Sequence, residues 1–535
     1  MRAARLIEQH FDMVYIVRGE AATIHRWLSV LPDGLVQSRP RLLLAQAMMA
    51  PTSGHPEVVE PLLDAVECAP PGWADEPFEP TAGVAASHLI NVPALTTLIR
   101  SYLAQFRGDA EATAAFAGQA LAQSKPEERM LSATVGGLLA VAEWLRGRLT
   151  EAERAFASSV TGWRETGHLT LIAWGWYELA LIRRAQGRLD AAALTCERAL
   201  DALATCGRPP PAAGPGYVGL ADIAYQRDEL DSALRYATEG IALCRQFVYA
   251  PPLAAGLVTL AWIRQATSDP AGALEAITEA EQASRGPASL FNPVPAQRAR
   301  LLLAQGDLAG AARWTQENGL AADDEPDYPR EPGHLVLARV LLDQNRPGPA
   351  LALLDRLHAA AAAQDRTGSV IEAGALRALA LAATGEDAAA VTALAGVLTL
   401  ACPQGYVRVF TDEGLPMAAL VARLIAAQRA GNVAAEVPLG CLARLQRSFA
   451  DAGQTAPDPR RGTATVVPGL VEQLTSRELE VLQMLAAGRS NQAIASELVV
   501  TLDTVKKHVS HVMGKLGAAN RTEAVARARE LGLIP

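Results

Sequence analysis

The chain has few aromatic residues and few cysteines, and it has no phosphate-binding glycine motif. Only 5% of its 535 residues are Phe, Trp or Tyr. β-Branched runs between tight-turn dipeptides are scarce, which argues against a sheet protein. The six cysteines (Cys68, Cys196, Cys206, Cys244, Cys402 and Cys441) are scattered with no CxxC pair. That spacing argues against a zinc site or a disulfide scaffold and predicts a protein kept in a reducing cytoplasm. No GxxxxGK[ST] loop occurs, and neither does a metal-spaced His/Cys cluster or a nucleophile motif, so the expectation is a non-enzyme without cofactor. The opening "MRAARLIEQHFD" carries charges throughout and has no apolar signal core. Residues 80–99 contain His88, Asn91 and Pro93, and residues 388–407 are rich in Ala, Thr and Gly and include Pro403, so neither reads as a membrane span.

What remains is Ala- and Leu-rich: 50% of the residues are hydrophobic and the net charge is −9. These residues favour helix, and the length exceeds what one core can serve. The prediction is an all-α protein of more than one unit. Overall acidity suits solubility and does not suggest a surface that binds nucleic acid everywhere.

A pattern recurs in which an apolar helix is followed by a Gly or polar turn and a second helix with Ala near its start. Copies are anchored at Leu149, Leu189, Leu230, Pro270, Leu308, Pro347 and Asp387, with steps of 40, 41, 40, 38, 39 and 40 residues, and a weaker copy lies near Ala110. Three positions after the anchors stand Ala152, Ala192, Ala233, Ala273, Ala311, Ala350 and Ala390. A small residue there lets the second helix lie close to the first. Helix pairs at a fixed period predict a tetratricopeptide-like solenoid in which each pair buries its face by stacking on its neighbours. The aromatic-rich segment from Gly167 to Arg184 makes Trp174, Trp176 and Tyr177 candidate effector contacts on its concave surface. Aromatics at helical spacing more often pack between helices, and that reading stands beside the first.

The expected organisation is a helical-repeat region over 1–451, a flexible linker over 452–469 and a C-terminal domain over 470–535. The linker, "AGQTAPDPRRGTATVVPG", is rich in Pro, Gly and Thr. The last domain has clear helix punctuation. Thr475 and Glu478 form a capping box flanked by Leu474 and Leu479. Gly488 can end that helix in the left-handed conformation. Ser490 caps a second short helix, Thr501 a third, and Asn520 with Glu523 a fourth. Two short helices joined by a tight turn, the second one basic, predict a helix-turn-helix.

On the third helix Val505, Val509, Val512 and Leu516 fall in one buried arc. Opposite lie Asp503, Lys507, Ser510, His511 and Gly514, with Thr504, Lys506 and Lys515 on the flanks. One face packs on the domain, one reaches base edges, and the flanks meet the phosphate walls. From Thr501 to Arg529 the net charge is +4, segregated within an acidic chain. His508, bordering the buried arc, reads as structural.

At these residues the sequence resembles the LuxR-type DNA-binding domain. The LTxRExEVL opening, GxSNxxIAxxL, TVKxH, KL and RTEAV all stand between Leu474 and Val525. The resemblance implies a four-helix domain that binds double-stranded promoter DNA, usually as a homodimer, with the third helix in the major groove. It assigns base contacts to Lys506, Lys507 and Ser510 and backbone contacts to Thr504 and Arg521. Thr501 stands where Ser is usual, and Gly514 is a less common choice. "RGEAATIHRWLSVLPDGLVQSRPRLLLAQA" and "GYVRVFTDEGLPMAALVARL" are similar to the large MalT-like regulators of the LuxR class. Those regulators carry an N-terminal ATPase module, which is not recognised here, so ATP binding is not carried over. The implied protein is a cytoplasmic transcription regulator with no membrane contact. Its repeats would bind a small-molecule or protein effector, and RNA polymerase is a further candidate partner. The competing class is a repeat scaffold for other proteins with a residual DNA-binding domain.

Overall fold

The computed structural model describes residues 2–11, 14–15, 21–50, 55–69, 91–125, 128–166, 169–204, 209–247, 250–284, 293–433 and 435–453. Beyond these it describes most of 481–498, then 505, 509, 512–513, 515–516, 518 and 520–530. The chain divides into two compact units, Met1–Ala456 and Pro457–Pro535. The linker expected at 452–469 lies, after its first two residues, outside the described residues.

The described elements are helical. The first unit opens with five helices: α1 (Arg2–Phe11), α2 (Ala21–Ser29), α3 (Asp33–Gln37), α4 (Pro40–Met49) and α5 (Val59–Glu67). Helix pairs then follow in regular order. The first members are α6 (Val92–Phe106), α8 (Arg129–Leu145), α10 (Leu169–Ala185), α12 (Gly214–Gln226), α14 (Ala250–Ala266), α16 (Val294–Ala304), α18 (Glu331–Asp343) and α20 (Thr367–Ala383). The second members are α7 (Ala110–Ala122), α9 (Leu149–Thr166), α11 (Leu189–Leu203), α13 (Leu230–Phe247), α15 (Pro270–Ala283), α17 (Leu308–Glu317), α19 (Pro347–Ala363) and α21 (Asp387–Ala401). Three further helices, α22 (Arg408–Thr411), α23 (Gly414–Arg429) and α24 (Leu439–Asp451), complete the unit.

Every repeat anchor is thus the first residue of a second helix. The residue two positions earlier is left-handed in all eight pairs: Gly108, Gly147, Gly187, Asp228, Ser268, Gly306, Asn345 and Gly385, with φ between 56° and 85°. Glycine adopts this conformation without a Cβ clash, and Asp and Asn are the side chains that best tolerate it. Asp109, Asp269 and Asp307 then cap the helices they precede, accepting from Ala112, Gly272 and Gly310 N–H at 2.9, 2.9 and 2.8 Å. The alanine three residues after each anchor is fully buried at all seven positions, where the paired helices touch.

Stacking also places residues of adjacent pairs, 35 apart in sequence, side by side. Arg146 meets Glu111 at 2.8 Å, Arg188 meets Glu153 at 3.0 Å, and Arg366 pairs with Glu331. The same geometry corrects the reading of the cysteines. Cys402 and Cys441 are joined in a disulfide with Cα atoms 5.8 Å apart and a sequence separation of 39. That separation is one repeat period, so two cysteines that look scattered in sequence become neighbours in the stack.

The stack curves until its two limbs meet. The Val407 N–H donates to the Gln226 carbonyl at 2.8 Å, and the Trp144 indole reaches the Tyr328 hydroxyl at 3.4 Å. Tyr225 donates to Asp412 at 2.8 Å, and Gln404 accepts from Asp190 N–H at 3.1 Å. A Cβ on Gly368 would stand 2.8 Å from the Ala185 carbonyl oxygen, so α20 approaches α10 as closely as it does because that residue has no side chain. Among the described residues one segment, Asp387–Gln404, is long and apolar enough to cross a membrane. It is built on α21, whose Ala390, Leu394, Leu398 and Ala401 are buried in the main core cluster of the repeats.

Candidate functional site

In the C-terminal unit the helix punctuation takes the expected form wherever it is described. Gly488 is left-handed with φ 75°, and Arg489 N–H donates to the Met484 carbonyl at 3.0 Å, closing the preceding helix. Ser490 Oγ accepts from Ala493 N–H at 3.2 Å and opens α25 (Asn491–Leu498). Asn520 Oδ1 accepts from Glu523 N–H at 3.0 Å and opens α26 (Arg521–Glu530). The capping box at Thr475 and Glu478, with Leu474 and Leu479, lies outside the described residues, as does Thr501.

Val505, Val509, Val512, Met513, Lys515 and Leu516 are helical. Val505 packs with Val481, Leu485 and Ile494, with half-buried Val509 against them. Val512 and Leu516 pack with Leu482, Ala524 and Ala528. One stripe of the third helix therefore spans two small apolar clusters and fixes which side of that helix can face outward.

The predicted DNA contacts divide accordingly. Thr504, Lys506, Lys507, Ser510 and His511 lie outside the described residues. Lys515 is half-buried. Arg521 has a local task that the sequence did not disclose. Its guanidinium donates to the carbonyls of Leu485, at 3.4 Å, and of Arg489, placing positive charge at the carbonyl end of the helix that Gly488 closes. Arg527 and Arg529 on α26 are exposed.

The first unit holds a different site. Between the two limbs of the stack is a cavity of about 200 Å³, lined by the first helices of the pairs, α6 to α20, and by Tyr328, Tyr406 and Val409. Its walls carry both signs of charge. Arg339 is bound by Glu413 at 2.6 Å and by Glu372 at 2.9 Å. Burial works against the Arg339 charge, but Glu413 and Glu372 outweigh it and hold its pKa above the usual value. Burial likewise raises Glu372, and Arg339 and Arg300 overcome this and hold it below the usual carboxylate value. Arg184 pairs with Asp222. Arg300 stacks on Trp262, 4.6 Å from the ring centroid, with Asp412 and Glu413 standing off at 3.7 and 3.6 Å.

Burial pushes the Tyr328 hydroxyl up to about 12 and raises Tyr177 and Tyr406 too, so all three stay protonated donors. The side-chain oxygens of Gln105 and Gln226 are buried without a hydrogen-bond partner, and both residues line the cavity. An unpaired buried carbonyl is costly unless something donates to it. The cavity thus offers donors, acceptors and aromatic walls with nearly balanced charge, which suits a polar molecule that is neutral or zwitterionic over a bare ion.

Of the three candidate aromatics, Tyr177 lines this cavity and the tryptophans do not. Trp174 is core: its ring lies 5.2 Å from Trp163 and 5.6 Å from Phe156, and its indole N–H donates to Glu178 at 3.1 Å. Trp176 is half-buried and its indole nitrogen has no partner.

Two family models match the chain. The MalT-like TPR region matches residues 95–427, and the bacterial regulatory proteins of the luxR family match residues 472–528. The response regulator protein VraR of Staphylococcus aureus (strain NCTC 8325 / PS 47) is 49% identical over 65 residues, which is 12% of this chain and 31% of that protein. VraR of Staphylococcus epidermidis gives the same figures. The chain therefore spans less than a third of the length of the curated relatives it matches. Among solved structures, a Rap protein complexed with competence and sporulation factor has a TM-score of 0.47 at 10% identity, covering 69% of this chain and 99% of that one. The apo quorum sensor NprR from B. thuringiensis has a TM-score of 0.38 at 13% identity, covering 66% and 96%.

Proposed function

The chain belongs to the family of the MalT-like TPR region and carries a luxR-family domain at residues 472–528, and on that premise we propose that it is a transcription regulator whose C-terminal unit reads promoter DNA under the control of an effector held by the repeats. The observation that carries the DNA reading is the apolar stripe of Val505, Val512 and Leu516, buried against the neighbouring helices. By helical spacing in the sequence, Lys507, Ser510 and His511 fall opposite that stripe, and we assign them to the base edges. By the same spacing Lys506 is assigned to the edge of that face, and Thr504, Lys515 and Arg521 to the phosphate backbone. The unit binds as a homodimer, one third helix per half-site.

The effector is a small, polar, neutral or zwitterionic molecule in the cavity between the limbs. A molecule seated there touches α10 and α12 on one side and α18 and α20 on the other. Its binding energy therefore differs between closed and open arrangements of the stack, which is what a ligand needs in order to shift an equilibrium.

The test is selection of genomic fragments by the purified chain, followed by a salt titration of the selected site. Lys506→Ala/Lys507→Ala should weaken binding to the selected site and relax its base discrimination, while Lys515→Ala should lower the magnitude of the slope of log K against log salt by about 1, since each lysine that neutralises a phosphate contributes about 1. A double variant that binds as tightly as the parent, with unchanged base discrimination, overturns the assignment. For the cavity, a small-molecule screen read by thermal shift should give ligands that Arg300→Ala no longer binds.

A further inference from the structure

The described cysteines fall into three environments. Cys196 and Cys244 are buried in the repeat core as free thiols, and burial pushes the Cys196 thiol up to about 12 and Cys244 higher still, which makes both poor nucleophiles. Cys68 is exposed and has no disulfide partner. Cys402 and Cys441 are joined and both are half-buried, within reach of small thiols and disulfides.

The place of this bond in the fold is specific. Cys402 begins the 3₁₀ turn Cys402–Gln404 that follows α21, and Cys441 lies in the first turn of α24. Helix α24 is the last helix of the first unit, which ends at Ala456. Without the bond, α24 is held by one apolar face, Leu442, Leu445 and Phe449. The segment before it is pinned separately: Gln428 donates to the Val437 carbonyl at 2.8 Å and accepts from Val437 N–H at 3.0 Å. Breaking the disulfide therefore leaves the repeat core and this clamp intact and removes a cross-link from one terminal helix.

We propose that Cys402 and Cys441 form a reversible thiol–disulfide site that sets how firmly α24 is held, and that its redox partner is a low-molecular-weight disulfide of the cellular thiol pool. The chemistry balances as two exchanges. One cysteine thiolate attacks the small disulfide, forming a mixed disulfide and releasing one small thiolate. The second cysteine thiolate attacks the mixed disulfide at the protein sulfur, forming the Cys402–Cys441 bond and releasing the second small thiolate. The two cysteines together lose two protons and two electrons, and the small disulfide is reduced to two thiols. Reduction is the reverse. Closing one bond across a 39-residue separation limits the openings available to the helix at its end, and local opening is the motion that amide exchange reports.

The experiment uses the full chain, equilibrated in mixtures of oxidised and reduced glutathione. Alkylation of free thiols and peptide mass mapping follow the bond, and amide hydrogen exchange follows α24. The expected result is a linked Cys402–Cys441 peptide that appears and disappears with the glutathione ratio, with α24 amides exchanging about tenfold faster in the reduced protein. In Cys402→Ser/Cys441→Ser the α24 exchange should match the reduced parent in every buffer, and helical circular dichroism shows whether that variant is folded. The single variant Cys402→Ser, which should instead trap glutathione on Cys441, provides a second reading. The proposal is overturned if no linked peptide forms in excess oxidised glutathione, if the bond fails to reopen in excess reduced glutathione, or if α24 exchanges equally in both states of the parent. None of these readings depends on DNA.

Discussion

Arginine does opposite things in the two units. In the repeats Arg339, Arg366 and Arg408 are buried and each is met by carboxylates: Arg339 by Glu413 and Glu372, Arg366 by Glu331, and Arg408 by Asp228 and Asp412. In the C-terminal unit Arg521 binds backbone carbonyls instead, and Arg527 and Arg529 are exposed. Charge in the first unit is consumed in holding limbs and lining a cavity. Among the described residues of the second unit, Arg527 and Arg529 keep their charge at the surface. A net charge of −9 for the whole chain conceals this division.

The sharpest test of the difference is to delete an arginine from each unit. Arg339→Ala removes the cation hydrogen-bonded to both Glu413 and Glu372, leaving them only the more distant Arg300, and should destabilise the repeats by about 3–5 kcal/mol. Arg521→Ala strands no carboxylate and should cost its unit about 1 kcal/mol, the scale of a lost hydrogen bond. Unfolding followed by peptide-resolved hydrogen exchange assigns each loss to its unit. Equal losses would break the comparison.

A second test asks whether the repeats depend on close approach more than on charge. Ala192→Leu puts a branched side chain where α11 meets its pair and should cost about 1–3 kcal/mol by overpacking. A neutral result in urea unfolding would show that this contact is looser than its full burial suggests. The turn chemistry comes next. Gly385 has φ 85° and open space around its Cβ position, so Gly385→Ala isolates the backbone cost of a left-handed alanine, about 1–2 kcal/mol. Last are the helix ends, where the two units should agree. Asp269→Ala and Asn520→Ala each remove one side-chain cap and should each cost about 1 kcal/mol. Matching values would confine the difference between the units to charge and leave helix construction common to both.

Much of the repeat architecture was legible in the sequence because it is written locally. A left-handed residue, a helix start and a small residue three positions later lie within six residues, and each has its own residue preference. The caps at Ser490 and Asn520 and the stripe through Val505, Val512 and Leu516 were readable for the same reason. The closure of the stack was not. Val407 meeting Gln226, or Tyr328 meeting Trp144, depends on small rotations summed over several repeats, and no window of sequence contains that sum. The cavity was hidden with it: Arg300, Glu372 and Tyr406 carry no motif and come together only when the limbs meet. The disulfide lies between these cases. Its separation of one period was visible, but reading it required applying the repeat to cysteines as well as to alanines. Of the aromatic cluster, Trp174 follows the packing reading and Tyr177 alone lines the cavity.

The meeting of the limbs has a thermodynamic consequence. An open array of helix pairs is nearly one-dimensional: each pair answers to its two neighbours, and unfolding can start at either end and travel inward. Here α20 and α22 rest on α10 and α12, so the late repeats cannot peel away without giving up their hold on the early ones. Fraying at one end becomes an event felt half the array away. The repeat unit should therefore melt more nearly as one body than as a zipper, and a ligand that favours closure would raise the cost of opening for many repeats at once.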